Sequence, residues 1–271
     1  MTDFRFDGTI TALSPIAHNS DESCGTDTKF RRMKIFYNEQ DYQIPFYSGN
    51  AFRGILRRIA ARQFVDAIGL VEMSDKLYYT FFTGGSLQKG AAQNYIEIGK
   101  KRDLRENIPF LSIFGTALGN QIIAGKLKVD CAFPIAKETQ ALTGKSSSRS
   151  VYELTEEIFY TRRDDLEDKE KVEGKQQAQQ MKYNIEVLAA GVELSHGFSL
   201  ECVNNIEAGC FVTAVKRMQE KGIIGGKSSA GHGKVKMEYC PEWPDENYYL
   251  DYVKENKTKI IEFVKKLEAS L

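Results

Sequence analysis

The chain has 271 residues, 42% hydrophobic and 27% charged, a globular composition that excludes a fully disordered, fibrous or disulfide-stapled protein. Thirty-seven Lys and Arg balance thirty-seven Asp and Glu, so the surface is not basic throughout, although one face can be. Five Cys at 24, 131, 202, 210 and 240 include no Cys-x-x-Cys pair, which argues against a zinc site and for reduced thiols in a cytoplasm. No basic-then-apolar leader follows Met1, and no apolar run approaches the roughly 18 residues that span a bilayer, so a soluble, cytoplasmic, unprocessed chain without a membrane partner is expected.

In chain order, Phe4 to Ile16 mixes alternating and continuous apolar positions and predicts a first strand. Ala17 to Ile44 is polar and aperiodic apart from a short ribbon at Met33 to Tyr37, and reads as a long loop. A helix follows: Ala51, Phe52, Ile55, Leu56, Ile59, Ala60, Phe64 and Ile68 form one stripe, Ser48 or Asn50 caps it, and Arg53, Arg57, Arg58 and Arg62 lie off it. Residues 76 to 125 read as an irregular insertion with short helices, and Lys126 to Pro134 as a second strand. Nine acids against five bases over 153 to 175 leave little for a core, so residues 137 to 180 read as a projecting hairpin or arm, and removing 145 to 175 is expected to spare the fold. Strands at Met181–Leu188 and Val192–Cys202, a helix near Ala208–Lys221 stopped by Gly222, a strand at Val235–Tyr239 and a terminal helix from Tyr248 to Leu267 complete the chain. The order is that of an α+β, ferredoxin-like fold, shared with the RNA recognition motif.

Two basic segments stand out in this neutral chain. Residues 29 to 62 hold eight bases against Glu39 and Asp41, and residues 221 to 236 hold four Lys and no acid; together they would attract a polyanion by counterion release, while solvated arginines over apolar neighbours are the plainer account. The loop GIIGGKSSAGHGK offers backbone amides, hydroxyls, Lys227 and His232 to phosphate oxygens, and Gly226→Val is expected to damage it. It is not a P-loop, because Lys221 occupies the first glycine position and the loop leads from helix to strand. Only three His exist, without metal-ligand spacing; His18 near Asp21, Glu22 and Asp27 is the sole polar cluster suited to acid/base work.

The stretches ITALSPIAHNSDESCGTDTKFRR, IPFYSGNAFRGILRR, YYTFFTGGSL, IFGTALGNQIIAGKLKV and IIGGKSSAGHGKV, in that order between residues 4 and 240, resemble the RAMP backbone subunit of class 1 CRISPR effector complexes, nearest the type IV kind. The resemblance implies an RNA-recognition-like palm (1–70, 126–136 and 181–240) with a web-like insertion (71–125) and a thumb (137–180), followed by a C-terminal helix (241–271). It implies copies stacked along a guide RNA, with guide (CRISPR) RNA, target DNA or RNA, copies of itself and other effector-complex subunits as partners, and no cofactor or metal. Carried onto this sequence, Ser48, Asn50, Arg53 and Arg57 with Lys227, Ser228, His232 and Lys234 would hold the guide backbone. Lys29, Arg31 and Arg32 would flank it, and Arg149, Arg162 and Arg163 would serve the thumb. Type III relatives cleave target RNA through an Asp at the place of Asp27, whereas the type IV resemblance implies a subunit that is not an enzyme. A metal-dependent ribonuclease using Asp27 and a ferredoxin-like structural oligomer without nucleic acid are the alternatives.

Overall fold

The computed structural model describes residues 1–24, 27–85, 97–118, 121–162, 181–239 and 242–271. β1 (Thr2–Ala12) buries Phe6, Ile10 and Ala12 on one face and turns Arg5, Asp7 and Thr9 to the other, the period-two pattern of a strand covered on one side. The expected long loop instead forms two antiparallel pairs, β2 (Asn19–Cys24) with β3 (Asp27–Phe30) and β4 (Arg32–Tyr37) with β5 (Gln40–Pro45). The second pair closes through Asn38 and Glu39, with φ of 48° and 63°, the two-residue turn that matches strand twist.

α1 (Gly49–Ile68) begins where expected. The Ser48 hydroxyl accepts the Ala51 N–H, left-handed Gly69 ends the helix, and Phe52, Leu56, Ile59, Ala60, Phe64 and Ile68 form the buried stripe. The insertion contains α2 (Asp75–Phe82), α3 (Ile98–Asn107), α4 (Pro109–Phe114) and the paired strands β6 (Thr116–Leu118) and β7 (Gln121–Ile123). The strand expected over Lys126–Pro134 is two, β8 (Leu127–Val129) and β9 (Phe133–Pro134), because Ala132 exchanges both backbone hydrogen bonds with Tyr47, at 2.8 and 2.9 Å. Then come α5 (Gln140–Thr143), β10 (Thr155–Arg162), β11 (Met181–Leu188), β12 (Glu193–Val203), α6 (Asn205–Lys221), β13 (Val235–Tyr239), α7 (Asn247–Glu255) and α8 (Lys257–Ala269). The single terminal helix expected is thus broken at Asn256, yet Tyr249, Val253, Ile260 and Val264 keep one buried stripe across the break.

The main sheet has the order β13-β1-β12-β8, with β9 also on β12 and neighbours antiparallel. α1 links β1 to β8, and α6 links β12 to β13, so the expected α+β ferredoxin-like arrangement holds. Both helices cover one face: Phe211 of α6 lies 5.3 Å from Phe6 and from Phe198, and Phe52 of α1 lies 4.1 Å from the His196 ring. Burial pushes His196 down to about 3, so it is a neutral core histidine, bonded at 2.8 Å to Tyr239 Oη.

A second sheet has the order β10-β11-β3-β2, with β11 antiparallel to β10 and parallel to β3. Met181–Leu188, placed with the palm by sequence, therefore lies outside the main sheet. Ile185 and Val187 pack with Ala17 in a separate small core, flanked by Ile158, Tyr160 and Tyr183. The expectation that 145–175 is dispensable is overturned, since Val151 and Leu154 belong to the main core. Glu138 also accepts hydrogen bonds there from the Ser150 hydroxyl and the Val151 N–H, so deletion opens the core and strands a buried carboxylate. Among the described residues, no helix is long and apolar enough to cross a membrane.

Candidate nucleic-acid interface

The glycine loop is pinned on both sides. Gly226 N–H donates to Ala17 O and Gly233 N–H to Pro15 O, at 2.9 and 2.8 Å, so the loop follows the chain leaving β1. Gly225 N–H donates to Tyr47 Oη at 2.8 Å, tying the loop to the start of α1. Gly225 and Gly233 have φ of +80°, a region that favours glycine; Gly226 does not, so the damage expected of Gly226→Val falls on its neighbours instead. Lys227 lies in the left-handed region and starts the short exposed turn Ser228–Ala230. Its ammonium is 4.6 Å from the Tyr183 ring and 5.8 Å from the Tyr160 ring, a cation–aromatic hold on the β10–β11 pair. His232 is buried, with Nε2 bonded to Tyr160 Oη and Nδ1 3.2 Å from Pro15 O. Ser228 and Lys234 are exposed, whereas His232 secures the loop from within.

Along α1 the structure brings Asn50, Arg53, Arg57 and Arg58 together with Gly225 around one cleft of ≈ 530 Å³. Ser48 caps the helix, and its own N–H donates to His18 Nε2 at 3.2 Å; His18 also sits 4.4 Å from the Tyr47 ring, bracing the helix start. Arg53 donates to Leu127 O and Phe114 O, at 2.8 and 2.5 Å. Arg57, assigned to the guide backbone by the resemblance, is buried and donates through Nη2 to Phe114 O and Gly115 O, with Nη1 unpaired among the described residues. Burial, and then the neighbouring Arg53, lower Arg57 to about 10, so it remains charged at neutral pH. Arg58 and Arg62 are exposed. None of these four guanidinium groups forms an ion pair with a described residue, an arrangement suited to a polyanion.

The other basic candidates have different partners. Lys29 pairs with Glu157 of β10 at 2.5 Å, and that hydrogen bond raises its pKa. Arg32 pairs with Glu186 of β11 and donates to Gln43 O at 3.0 Å. Arg31 joins the backbone on both sides, donating to His18 O and accepting from Phe46 N–H. Lys29 and Arg32 therefore tie this segment to β10 and β11, while Arg31 joins it to the chain at His18 and Phe46, so only part of the local charge excess counted from sequence is met inside the molecule. Arg149 is exposed, and its carbonyl accepts the Lys137 N–H. Arg162 ends β10 opposite Met181, its side chain not described, and Arg163 lies outside the described residues. Asp27 is exposed on β3, in register with Asn184 of β11. Sequence reasoning did not carry Arg58 and Arg62 into the site, although their spacing on α1 was legible, and it had no signal for Tyr183 beneath Lys227.

The profile of the RAMP superfamily matches residues 9–236. Among solved structures, a chain described as "Type IV-B CRISPR Complex" superposes with a TM-score of 0.63 at 25% identity, over 88% of this chain and 90% of that one. No curated protein matches at a significant level. The matched span runs from within β1 into β13 and takes in α1, α6 and the glycine loop, so the chain belongs to the RAMP superfamily.

Proposed function

We propose that the chain is a backbone subunit of a class 1, type IV-like CRISPR effector complex, which binds guide RNA, repeats along it and presents it to target nucleic acid. The observation that carries this reading is the cationic row of α1, the exposed Arg58 and Arg62 and the half-buried Arg53 backed by buried Arg57, without a carboxylate partner among the described residues, beside a glycine loop whose turn is exposed. RAMP membership and the likeness to a type IV-B CRISPR complex chain support it. In this reading the main sheet with α1 and α6 is the palm, residues 71–125 are the web and residues 137–180 the thumb, in a cytoplasmic complex with other subunits. Protein purified from a host carrying a repeat array should retain RNA, and sequencing should return a uniform species with a repeat-derived handle. Retention of heterogeneous cellular RNA, or of none, overturns the proposal.

The same reading makes the chain a binding subunit and not a nuclease. Asp27→Ala is then expected to leave guide binding, assembly and any target-dependent activity unchanged, measured on RNA complementary to the guide in the presence of divalent metal. Regularly spaced cuts that disappear in Asp27→Ala with binding intact would instead mark a group used in the transition state, and would establish the ribonuclease.

A further inference from the structure

We infer that Tyr78 of α2 is a base-stacking platform for the single-stranded RNA whose phosphates lie along α1, an inference that rests on the RNA-binding reading above. α2 is firmly seated: Leu77 and Phe81 are buried, the Ser74 hydroxyl caps Leu77 N–H, and Glu268 Oε1 of α8 accepts the Ser74 N–H at 2.5 Å. On the flank of this buried side Tyr78 is left 45% exposed. Between this ring and the arginine row the packing is continuous. The Arg62 guanidinium carbon lies 5.5 Å from the Phe82 ring centroid, and Phe82 stacks on Tyr78 at 4.7 Å and 23°. Tyr79 meets Tyr78 edge-on at 6.1 Å, which fixes the ring from the side. Phe82 also lines the cleft that holds Arg57 and Arg58. The result is a guanidinium–aromatic–aromatic stack that starts in the cationic row and ends on a half-exposed ring.

Charge decides the occupant. Four guanidinium groups lack a carboxylate partner among the described residues, and an aromatic face adjoins them. A strand of single-stranded nucleic acid supplies both complements, phosphates for the row and a planar base for the ring, with little dependence on sequence because every base has a π-face. An acidic protein segment would satisfy the row but has no regular group to lie flat on Tyr78.

The test compares full-length wild type, Tyr78→Leu and Tyr78→Phe binding to oligo(rA), to oligo(rU) and to a ribose-phosphate strand of equal length without bases. Tyr78→Leu keeps an apolar neighbour for Phe82 and removes the aromatic face. It should weaken oligo(rA) binding about tenfold, as expected for a stacked base, weaken oligo(rU) less, and leave the base-free strand unchanged, while Tyr78→Phe behaves as wild type. Equal weakening on the base-free strand, or none on oligo(rA), overturns the stacking role while RNA binding stands. Failure of wild type to bind any of the strands overturns the RNA-binding reading itself, and stacking with it. If Tyr78→Leu folds poorly by thermal denaturation, quenching of 2-aminopurine placed within oligo(rA) by wild type, matched by Tyr78→Phe, decides the matter; absence of quenching counts against the platform.

Discussion

Gly233→Val is expected to cost at least about 3 kcal/mol of stability, counting left-handed strain together with a backbone collision, and to lose the ordered glycine loop. A Cβ at 233 would stand 1.9 Å from Ile224 O, and neither backbone can retreat. Gly233 O accepts the Ile224 N–H at 2.9 Å while Gly233 N–H is held by Pro15 O. The same residue joins α6 to β13 by a route that crosses the exit of β1, so moving it disturbs the edge of the main sheet. Gly225→Val should also be damaging, since its Cβ would meet Ala17 O at 2.4 Å. At Gly226 the nearest atom would be Ala17 O at 3.9 Å, and its φ lies outside the left-handed region, so Gly226→Val should melt close to wild type. Circular dichroism melts of the three variants check the order, and a Gly233→Val protein with an unchanged midpoint would show that the loop is not fixed in this way.

The parts of this fold that were legible in the sequence are those where the signal is local. α1 announced itself through Ser48 and the apolar stripe, and α6 through its stripe and Gly222; those two helices and the flanking strands suffice for the ferredoxin-like order. The β4–β5 turn was hidden because Glu39, with a full side chain, occupies a left-handed position where Gly is usual. β11 was misplaced because alternation identifies a strand but says nothing of which sheet takes it. The charge tally misled for a related reason. Lys29 and Arg32 looked like free charge because Glu157 and Glu186 are 128 and 154 residues away, and a local tally cannot see such pairs. Arg57 sits off the main stripe, yet the insertion folds over it and buries it, which no helical periodicity reports. The cap, the row of arginines and the place of the loop were legible; their division between structural and ligand-facing roles was not.

That division makes a sharp contrast between adjacent residues. Arg57→Met should lower stability by about 3 kcal/mol, because it leaves the Phe114 and Gly115 carbonyls, which Arg57 now satisfies at 2.7 and 2.6 Å, wholly or partly unpaired, at roughly 1–3 kcal/mol each. Both carbonyls lie at the C-terminal end of α4, where the helix dipole adds to the attraction for a cation. Methionine fills much of the buried volume, so the destabilisation reports the hydrogen bonds more than a cavity. Arg53 still donates to Phe114 O, which keeps the expected cost at the lower end of the summed range. Arg58, one residue on, is exposed and bonds to no described carboxylate. Arg58→Ala should therefore melt as wild type, weaken RNA binding about equally for all sequences, and reduce the slope of log affinity against log salt by about 0.7 for each single-strand phosphate that Arg58 neutralises. Thermal melts read the first effect and salt-dependent filter binding the second. If Arg57→Met keeps the wild-type midpoint and fails only to bind RNA, the carbonyl clamp is wrong; if Arg58→Ala keeps both affinity and slope, the guide does not run along this side of α1.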